Sequence, residues 1–309
     1  MSRIGIRALS NRVLEVRLTR PADHFLKVIA HQSFSAIHPS YIGAVNWGRN
    51  QSMIGNGPFQ VISWGNQKLI LTRNEYYWGR NQIEIDRLEI RFYENPEEAT
   101  ESFMNGDIHW ANTWSNTNRI IPYIVSNPLF ATTYFYFCSD CEPFDDKRVR
   151  NGLALLLPWD SIRANTNMFP PSHSLVPEIA DYPEVVGIRE FDERRGQKLL
   201  AQSGYMNGRG LPSINIKVAK GSIAVRVAEL MKESWEKHLE VEVTVQQFRY
   251  RELQSEIRQG EFALSHQTWV GDFADPLTFL QMWTRSSNLN DARYFNQDYD
   301  RQLRRALRA

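Results

Sequence analysis

Along this chain the apolar positions recur in two rhythms, one of period two and one near 3.6, and these divide it into strands and helices. Val13 to Leu18 (VLEVRL) alternates and predicts a strand. Pro21 to Ile29 predicts a short helix or turn with Phe25, Leu26 and Ile29 on its apolar side. An irregular, glycine-containing stretch from 38 to 57 leads to Phe59–Trp64 and Lys68–Arg73, which read as hairpin arms joined through Gly65-Asn66. Ile83 to Tyr93 alternates again. Asn95-Pro96-Glu97-Glu98 opens a helix with acids in its first turn, Gly106 ends it, and Asp107 to Trp110 is expected to return as strand.

The second half is more regular. Thr132 to Phe137 (TTYFYF) is rich in β-branched and aromatic residues and belongs in a sheet. Asp145 is expected to cap a helix carrying Val149, Leu153 and Leu156, which Pro158 terminates. A Pro-, Ser- and Asn-rich surface loop fills 165 to 187, and a helix from Asp192 to Ser203 closes at Gly204. Ile214, Ile216 and Val218 alternate. Ser222 then caps a helix striped by Ile223, Val227, Leu230, Met231 and Trp235, and Val241, Val243 and Val245 form the next strand. Strand, helix, strand at this length is a right-handed crossover between parallel strands. A helix from Tyr250 to Gln259 ends at Gly260 and delivers a strand, continuing from EFAL, that breaks at Gly271.

Candidate chemistry concentrates after that break, in HQTWVGDFADPLTFLQMW, 266 to 283. Asp275-Pro276 is a strong helix start, which gives Asp275 a structural task. Asp272 has no such task; a carboxylate between Trp269 and Phe273, past the carboxyl end of a strand, lies where open α/β sheets place ligands, and its expected partner is a cation held against indole.

Composition narrows the rest. The chain has 309 residues and 42% hydrophobic content, enough for one large or two ordinary domains with real cores. With 36 basic and 35 acidic residues, net +1, no global field attracts nucleic acid or anionic lipid. A mean hydropathy of -0.46 without a long apolar run excludes a transmembrane helix, and residues 1 to 20 lack a signal-peptide core, which alone would read as cytoplasmic. Cys138 and Cys141 form a lone C-x-x-C without nearby histidines, expected to be two loop thiols able to form a local bridge rather than a zinc site. His24, His31 and His38 recur every seven residues, but Pro39 argues against one continuous helix, so separate histidines are expected rather than a metal site.

Four segments, in order, carry a resemblance: GNGPFQVISWGNQKLILTRNEYYWG, EPFDDKRVRNGLAL, FDERRGQKLLAQSGY and WVGDFADPLTFLQMW with the later Tyr299-Asp300. They are similar to the glycine-proline hairpin ending in Asn-x-x-Tyr-Trp, the Pro-Phe-Asp-Asp-x-Arg-Val-Arg helix start, the Leu-Leu-x-x-x-Gly-Tyr helix and the Trp-x-x-Asp-Tyr-x-x-Pro loop of the family 5 extracellular solute-binding proteins. These are the oligopeptide- and dipeptide-binding receptors of bacterial ABC importers. The resemblance runs from about Ile4 to the last residue.

It implies an α/β, periplasmic-binding-protein-like fold of mixed sheets flanked by helices, a Venus flytrap with an extra lobe. Residues 1–38 would be a remnant of a preceding lobe and crossover, 39–130 part of lobe I, and 131–309 lobe III. The family's N-terminal part and closing segment would lie outside these residues, leaving sheet edges and an apolar face uncovered and predicting poor solubility in isolation. In the family, the acid aligned with Asp272 takes the ligand's α-ammonium, backbone around Trp269 pairs with the extended peptide, and Tyr134 lies near the pocket. Thr268, Val270 and His266 on the same strand join the expected ligand-binding set, with Lys220 as a partner for a ligand carboxylate. Some members bridge the positions aligned with Ala131 and Val270 by a disulfide, which these residues cannot form. The resemblance implies no cofactor, metal or catalysis. The expected partners are a peptide and the membrane-embedded permease subunits, the expected state a monomer, and the expected location the periplasm or outer face of the membrane, with lipid anchoring open.

Physically, a receptor for many peptides should hold what all peptides share, the main chain and the termini. An enclosed carboxylate–ammonium pair makes Asp272→Asn cost about 2–5 kcal/mol of affinity. Two other readings stay open. One is a non-peptide cargo on the same scaffold, such as an oligosaccharide, opine or metal chelate. The other is a glycoside hydrolase using Asp272 and Asp275 with Trp269 and Trp283 as sugar platforms, although acids three residues apart across a helix cap rarely face one bond. Ser174 and Ser265 lack nucleophile-elbow glycines. Arg148, Arg150, Arg301, Arg304, Arg305 and Arg308 read as solvated helix faces.

Overall fold

The computed structural model describes the chain except residues 1–4, 44–52, 113–114, 116–120, 126, 128, 165–169, 180–181, 184, 186, 189, 261 and 308–309. Parts of the two long irregular stretches, Glu261 of the EFAL segment and Arg308 therefore lie outside the described residues. Met1–His31 and Pro128–Ala309 form one compact unit, and Gln32–Asn127 a second. The N-terminal segment, set apart by the resemblance, thus groups with the C-terminal residues.

That segment holds a hairpin, β1 (Ile6–Ser10) with β2 (Val13–Val16), and α1 (Phe25–Ile29). The strand expected over Val13–Leu18 stops at Val16, and β1 was not legible. Ile6, Leu9, Val13 and Leu14 are all exposed, so no buried face imposes an apolar alternation.

In the second unit, β3 (Phe59–Trp64) and β4 (Lys68–Arg73) form the expected hairpin, and β5 (Arg87–Arg91) pairs with β4. The asparagine of the Asn-x-x-Tyr-Trp motif, Asn74, is buried and fastens both ends of the hairpin. Its amide donates to the Gly57 carbonyl (2.8 Å), and its Oδ1 accepts from Gln60 Nε2 (2.7 Å) and the Tyr76 N–H (3.0 Å). Asn95 caps α2 (Pro96–Met104): its Oδ1 accepts the Glu98 N–H at 2.9 Å while its amide donates to the Glu98 carboxylate. Two expectations fail here. Residues Arg80–Gln82 form a helical turn, so Ile83 starts no strand, and Asp107–Trp110 is irregular, with no strand among the described residues pairing with it.

The larger unit is built on a four-stranded mixed sheet in the order β6 (Ala131–Phe137), β9 (Leu264–Val270), β7 (Ile214–Ala219), β8 (Val243–Phe248). β7 and β8 are parallel and joined by α6 (Ile223–His238), the expected crossover; β9 runs parallel to β7 and antiparallel to β6. One face packs Phe135, Ile214, Ile216, Val218 and Leu264 against α3 (Lys147–Leu155), α5 (Glu193–Gln202) and α6. Tyr136, on the other face, joins Leu253 and Ile257 of α7 (Tyr250–Gln259), Phe262 and Ala292. Cys138 and Cys141 form the expected local bridge in the loop after β6, with Cys138 fully buried in this second core.

The cap of α3 is Asp146, one residue later than expected. Its Oδ1 accepts the Arg148 N–H at 2.7 Å, and hydrogen bonds from the Arg148 side chain hold the carboxyl down at about 2. The Asp-Asp-x-Arg motif is thus a cap with its own clamp, and Arg148 is no idle surface charge. Ser222 precedes α6 as expected, but its hydroxyl donates to the Ala219 carbonyl (2.6 Å) rather than capping the helix. Pro158 separates α3 from α4 (Trp159–Ala164). The last carbonyls of α3 find donors in other elements: Trp235 Nε1 to Leu153 (2.8 Å), Trp159 Nε1 to Ala154 (2.9 Å) and the Ser234 hydroxyl to Leu156 (2.6 Å).

α3 meets α5 through Gly152 and Gly196. A Cβ on Gly152 would stand 2.9 Å from Leu200 Cγ and 3.1 Å from the Gly196 carbonyl oxygen. Leucine can yield, but the backbone oxygen cannot without separating the helices. Gly152→Ala is therefore expected to cost about 1 kcal/mol net, overpacking exceeding the helix propensity gained. An unchanged or raised urea midpoint would disprove this close packing.

Candidate ligand-binding site

β9 sets the site. Among the described residues it shares only Ile216↔Leu264 and Lys217↔Ser265 with β7, then continues to Val270 paired with β6 alone. The bonds from the Cys138 N–H to the Ala263 carbonyl and from the Gly271 N–H to the Phe130 carbonyl fix the phase of the β6–β9 ladder. Tyr136↔Ser265, Tyr134↔Gln267 and Thr132↔Trp269 are hydrogen-bonded pairs. Thr268 and Val270 consequently turn their N–H and C=O groups outward, to the side β7 has left, and both are exposed. Ala131 and Val270 are direct cross-strand partners.

The strand ends at Gly271 because nothing larger fits: a Cβ there would lie 2.5 Å from the Phe130 ring and 2.9 Å from Thr278 Cγ2. Thr278, fully buried in α8 (Leu277–Leu280), then ties down the loop. Its hydroxyl oxygen accepts the Asp272 N–H at 3.0 Å and the Trp269 indole N–H at 3.4 Å. The only sequence trace of this role is a threonine in an otherwise apolar run, and reading the sequence missed it.

Asp275 does the expected structural work, its Oδ1 accepting the Leu277 N–H at 3.1 Å, and Lys27 Nζ lies 3.4 Å from Oδ2. That carboxylate is thus engaged at a helix start and by a lysine. Asp272 is half-exposed (side chain 49%), and its Oδ1 lies 3.9 Å from His31 Nε2. His24 stacks on Phe273 at 5.8 Å. Two of the three spaced histidines therefore meet the same loop instead of standing apart. Trp269 is oriented by Thr278 through its indole N–H, and the His31 imidazole stands beside the Asp272 carboxylate.

Tyr134 and Gln267 share the Trp269 face of the ribbon, with the Tyr134 ring edge-on to Trp283 (5.5 Å) and its hydroxyl donating to Gln267 Oε1 at 3.5 Å. Burial pushes the Tyr134 hydroxyl well above its ordinary value, reinforced by Asp291, so it remains a neutral donor. Lys220 is exposed just past β7, on the side to which Thr268 and Val270 open, and its N–H donates to the Phe248 carbonyl (2.8 Å). Cys138, Asp140 and Cys141 cluster tightly, but sulfurs bonded to each other offer no thiolate to a metal.

His266 lies on the opposite face, its ring 5.7 Å from Phe135 and its Nδ1 buried without a hydrogen-bond partner. Burial lowers its proton affinity. The unfolded chain then binds the proton more tightly, so this contribution to stability is complete above 6.5 and is lost as pH falls towards the lower folded value. The thermal midpoint is expected to fall between about pH 7.5 and 5, and to fall less in His266→Gln. Parallel declines in the two proteins would exclude His266 as the source.

Comparisons with known proteins give the family and the fold. The model of Bacterial extracellular solute-binding proteins, family 5 Middle, matches residues 2–291. The periplasmic oligopeptide-binding protein OppA of Escherichia coli (strain K12) is 25% identical over 319 residues, covering 96% of this chain and 58% of that protein. The dipeptide-binding protein DppE of Bacillus subtilis (strain 168) is 22% identical over 328 residues, covering 98% and 59%. Among solved structures, a periplasmic oligopeptide-binding protein from Borrelia burgdorferi matches with a TM-score of 0.80 at 23% identity, over 99% of this chain and 63% of the other. The murein tripeptide-binding protein MppA of Escherichia coli matches at 0.79 and 20%, over 99% and 63%. The chain spans less than two-thirds of the length of each of these relatives. The shared fold is the periplasmic-binding-protein-like α/β arrangement expected from the sequence, and the family is one of binding proteins. On the match over residues 2–291, the chain belongs to the family 5 bacterial extracellular solute-binding proteins.

Proposed function

We propose that these residues supply the peptide-binding lobe of an extracytoplasmic substrate-binding component of an ABC importer, with 131–309 as lobe III and 39–130 as part of lobe I. A peptide pairs as an added strand with the outward N–H and C=O groups of Thr268 and Val270, and its α-ammonium reaches Asp272. Trp269 and Tyr134 flank that edge, His266 supports it from the opposite face, and Lys220 is placed to meet a ligand carboxylate. The observation carrying this reading is a strand edge, unpaired among the described residues, that ends two residues before a half-exposed carboxylate. Main-chain pairing gives affinity without sequence preference, which suits a receptor of varied peptides.

The proposed activity is binding without turnover. Delivery is to membrane-embedded permease subunits, from a monomer in the periplasm or at the outer membrane face. Among the described residues no helix is long and apolar enough to cross a membrane. Native mass spectrometry of the protein purified from cells tests the reading. Bound peptides with free amino termini are expected; cargo lacking an ammonium would overturn the peptide assignment and favour a non-peptide ligand on this scaffold.

A further inference from the structure

Three arginines expected to be solvated helix charges, Arg301, Arg304 and Arg305, share one groove with Arg285. Gln297, Arg301, Arg304 and Arg305 project from one side of α9 (Gln297–Ala306), the spacing that aligns side chains on a helix face. Arg285 and Phe295, from the preceding loop, complete a cavity of about 760 Å³ with Asp300. The Arg285 guanidinium lies 4.6 Å over the Phe295 ring, a contact that steadies the planar fork while leaving its N–H edge for hydrogen bonding.

Internal counter-ions do not match this charge. Arg301 pairs with Asp298, and Arg304 Nε donates to the Asp300 carbonyl at 3.0 Å. Among the described residues, Arg285, Arg304 and Arg305 have no ion pair with a carboxylate. Asp300, the one acid in the wall, keeps its Oδ1 buried and unpartnered. In a chain of net charge +1, four guanidiniums against Asp300 in the wall and Asp298 beside it is a local field rather than a general basicity. Their mutual repulsion is relieved by an anion with more than one charge. Phe295, half-exposed, offers an apolar wall to an organic remainder.

We propose that this groove binds a phosphate-bearing anion, held by the forked N–H edges of Arg285 and Arg305. The site is separate from the β9 edge and does not depend on the peptide reading. Calorimetric titration of the full chain with pyrophosphate, and co-sedimentation with phosphatidylglycerol or phosphatidylcholine vesicles, test it. Binding of pyrophosphate assigns a soluble phosphate; association with phosphatidylglycerol vesicles alone assigns a lipid headgroup. In either case Arg285→Gln and Arg305→Gln are each expected to weaken binding about tenfold, the loss of one charge-assisted contact. Arg285→Lys, which keeps the charge but not the fork, is expected to weaken it too. Both arginines are exposed, so thermal melts should show the variants folded. No binding to either probe, or binding that both glutamine variants leave unchanged, overturns the proposal.

Discussion

Trp235→Ala is expected to destabilise the larger unit by about 3–5 kcal/mol, the largest effect of any single change considered. Two losses combine. Trp235 is fully buried between α3 and β7, so its removal opens a cavity that rigid helices cannot fill. Its indole also donates to the Leu153 carbonyl at 2.8 Å, in the last turn of α3, where the other donor is the Leu156 N–H at the helix end, at 3.2 Å. Trp235→Phe separates the two contributions: most of the apolar volume stays and only the donor is lost, for a cost of about 1–3 kcal/mol. Urea unfolding of the two variants checks this. If alanine cost less than phenylalanine, or neither moved the midpoint, the α3–α6 contact would not be the keystone of this core.

Asp272→Asn is expected to weaken peptide binding by about 2 kcal/mol, the low end of the range for a desolvated charge pair. The discount comes from the structure. With half its side-chain surface exposed, Asp272 reaches the full strength of the contact only when a ligand excludes water. The substitution keeps the size, and the backbone N–H bond to Thr278 is unaffected, so the loop geometry should persist. Calorimetry with a peptide and its N-acetylated form decides the role: wild type should prefer the free amine, and the variant should lose that preference. Equal preference in both proteins would move the ammonium contact to another residue.

The two predictions differ in how far the sequence reaches them. Trp235 was legible as one of five apolar positions on a helix stripe, but its hydrogen-bond task was not, since nothing local couples it to Leu153 82 residues away. Asp272 was legible because one loop holds the strand end, the glycine and the acid together. Its surroundings were not, since His31 and Lys27 come from a segment more than two hundred residues earlier. The same distinction separates the elements that succeeded from those that failed. The β3–β4 hairpin, α2, α5 and α7 carry their own turns, caps or glycine stops, and all appear within a residue or two of expectation. β1 and Asp107–Trp110 carry no such local signal, and the presence or absence of a partner strand settled their conformation.

By itself, the sequence determined the elements that carry their own turns, caps or glycine stops, and that a lone acid follows the strand ending at Gly271. Tertiary structure alone decided that β9 pairs with β6 and parts from β7 after Ser265, leaving Thr268 and Val270 open. It also decided that Gly152 meets Gly196, and that arginines from 285 and from α9 share one groove. The physical reason is that backbone propensity and apolar period act over a few residues, whereas strand partners, close approaches and converging charges depend on which surfaces the whole chain brings together.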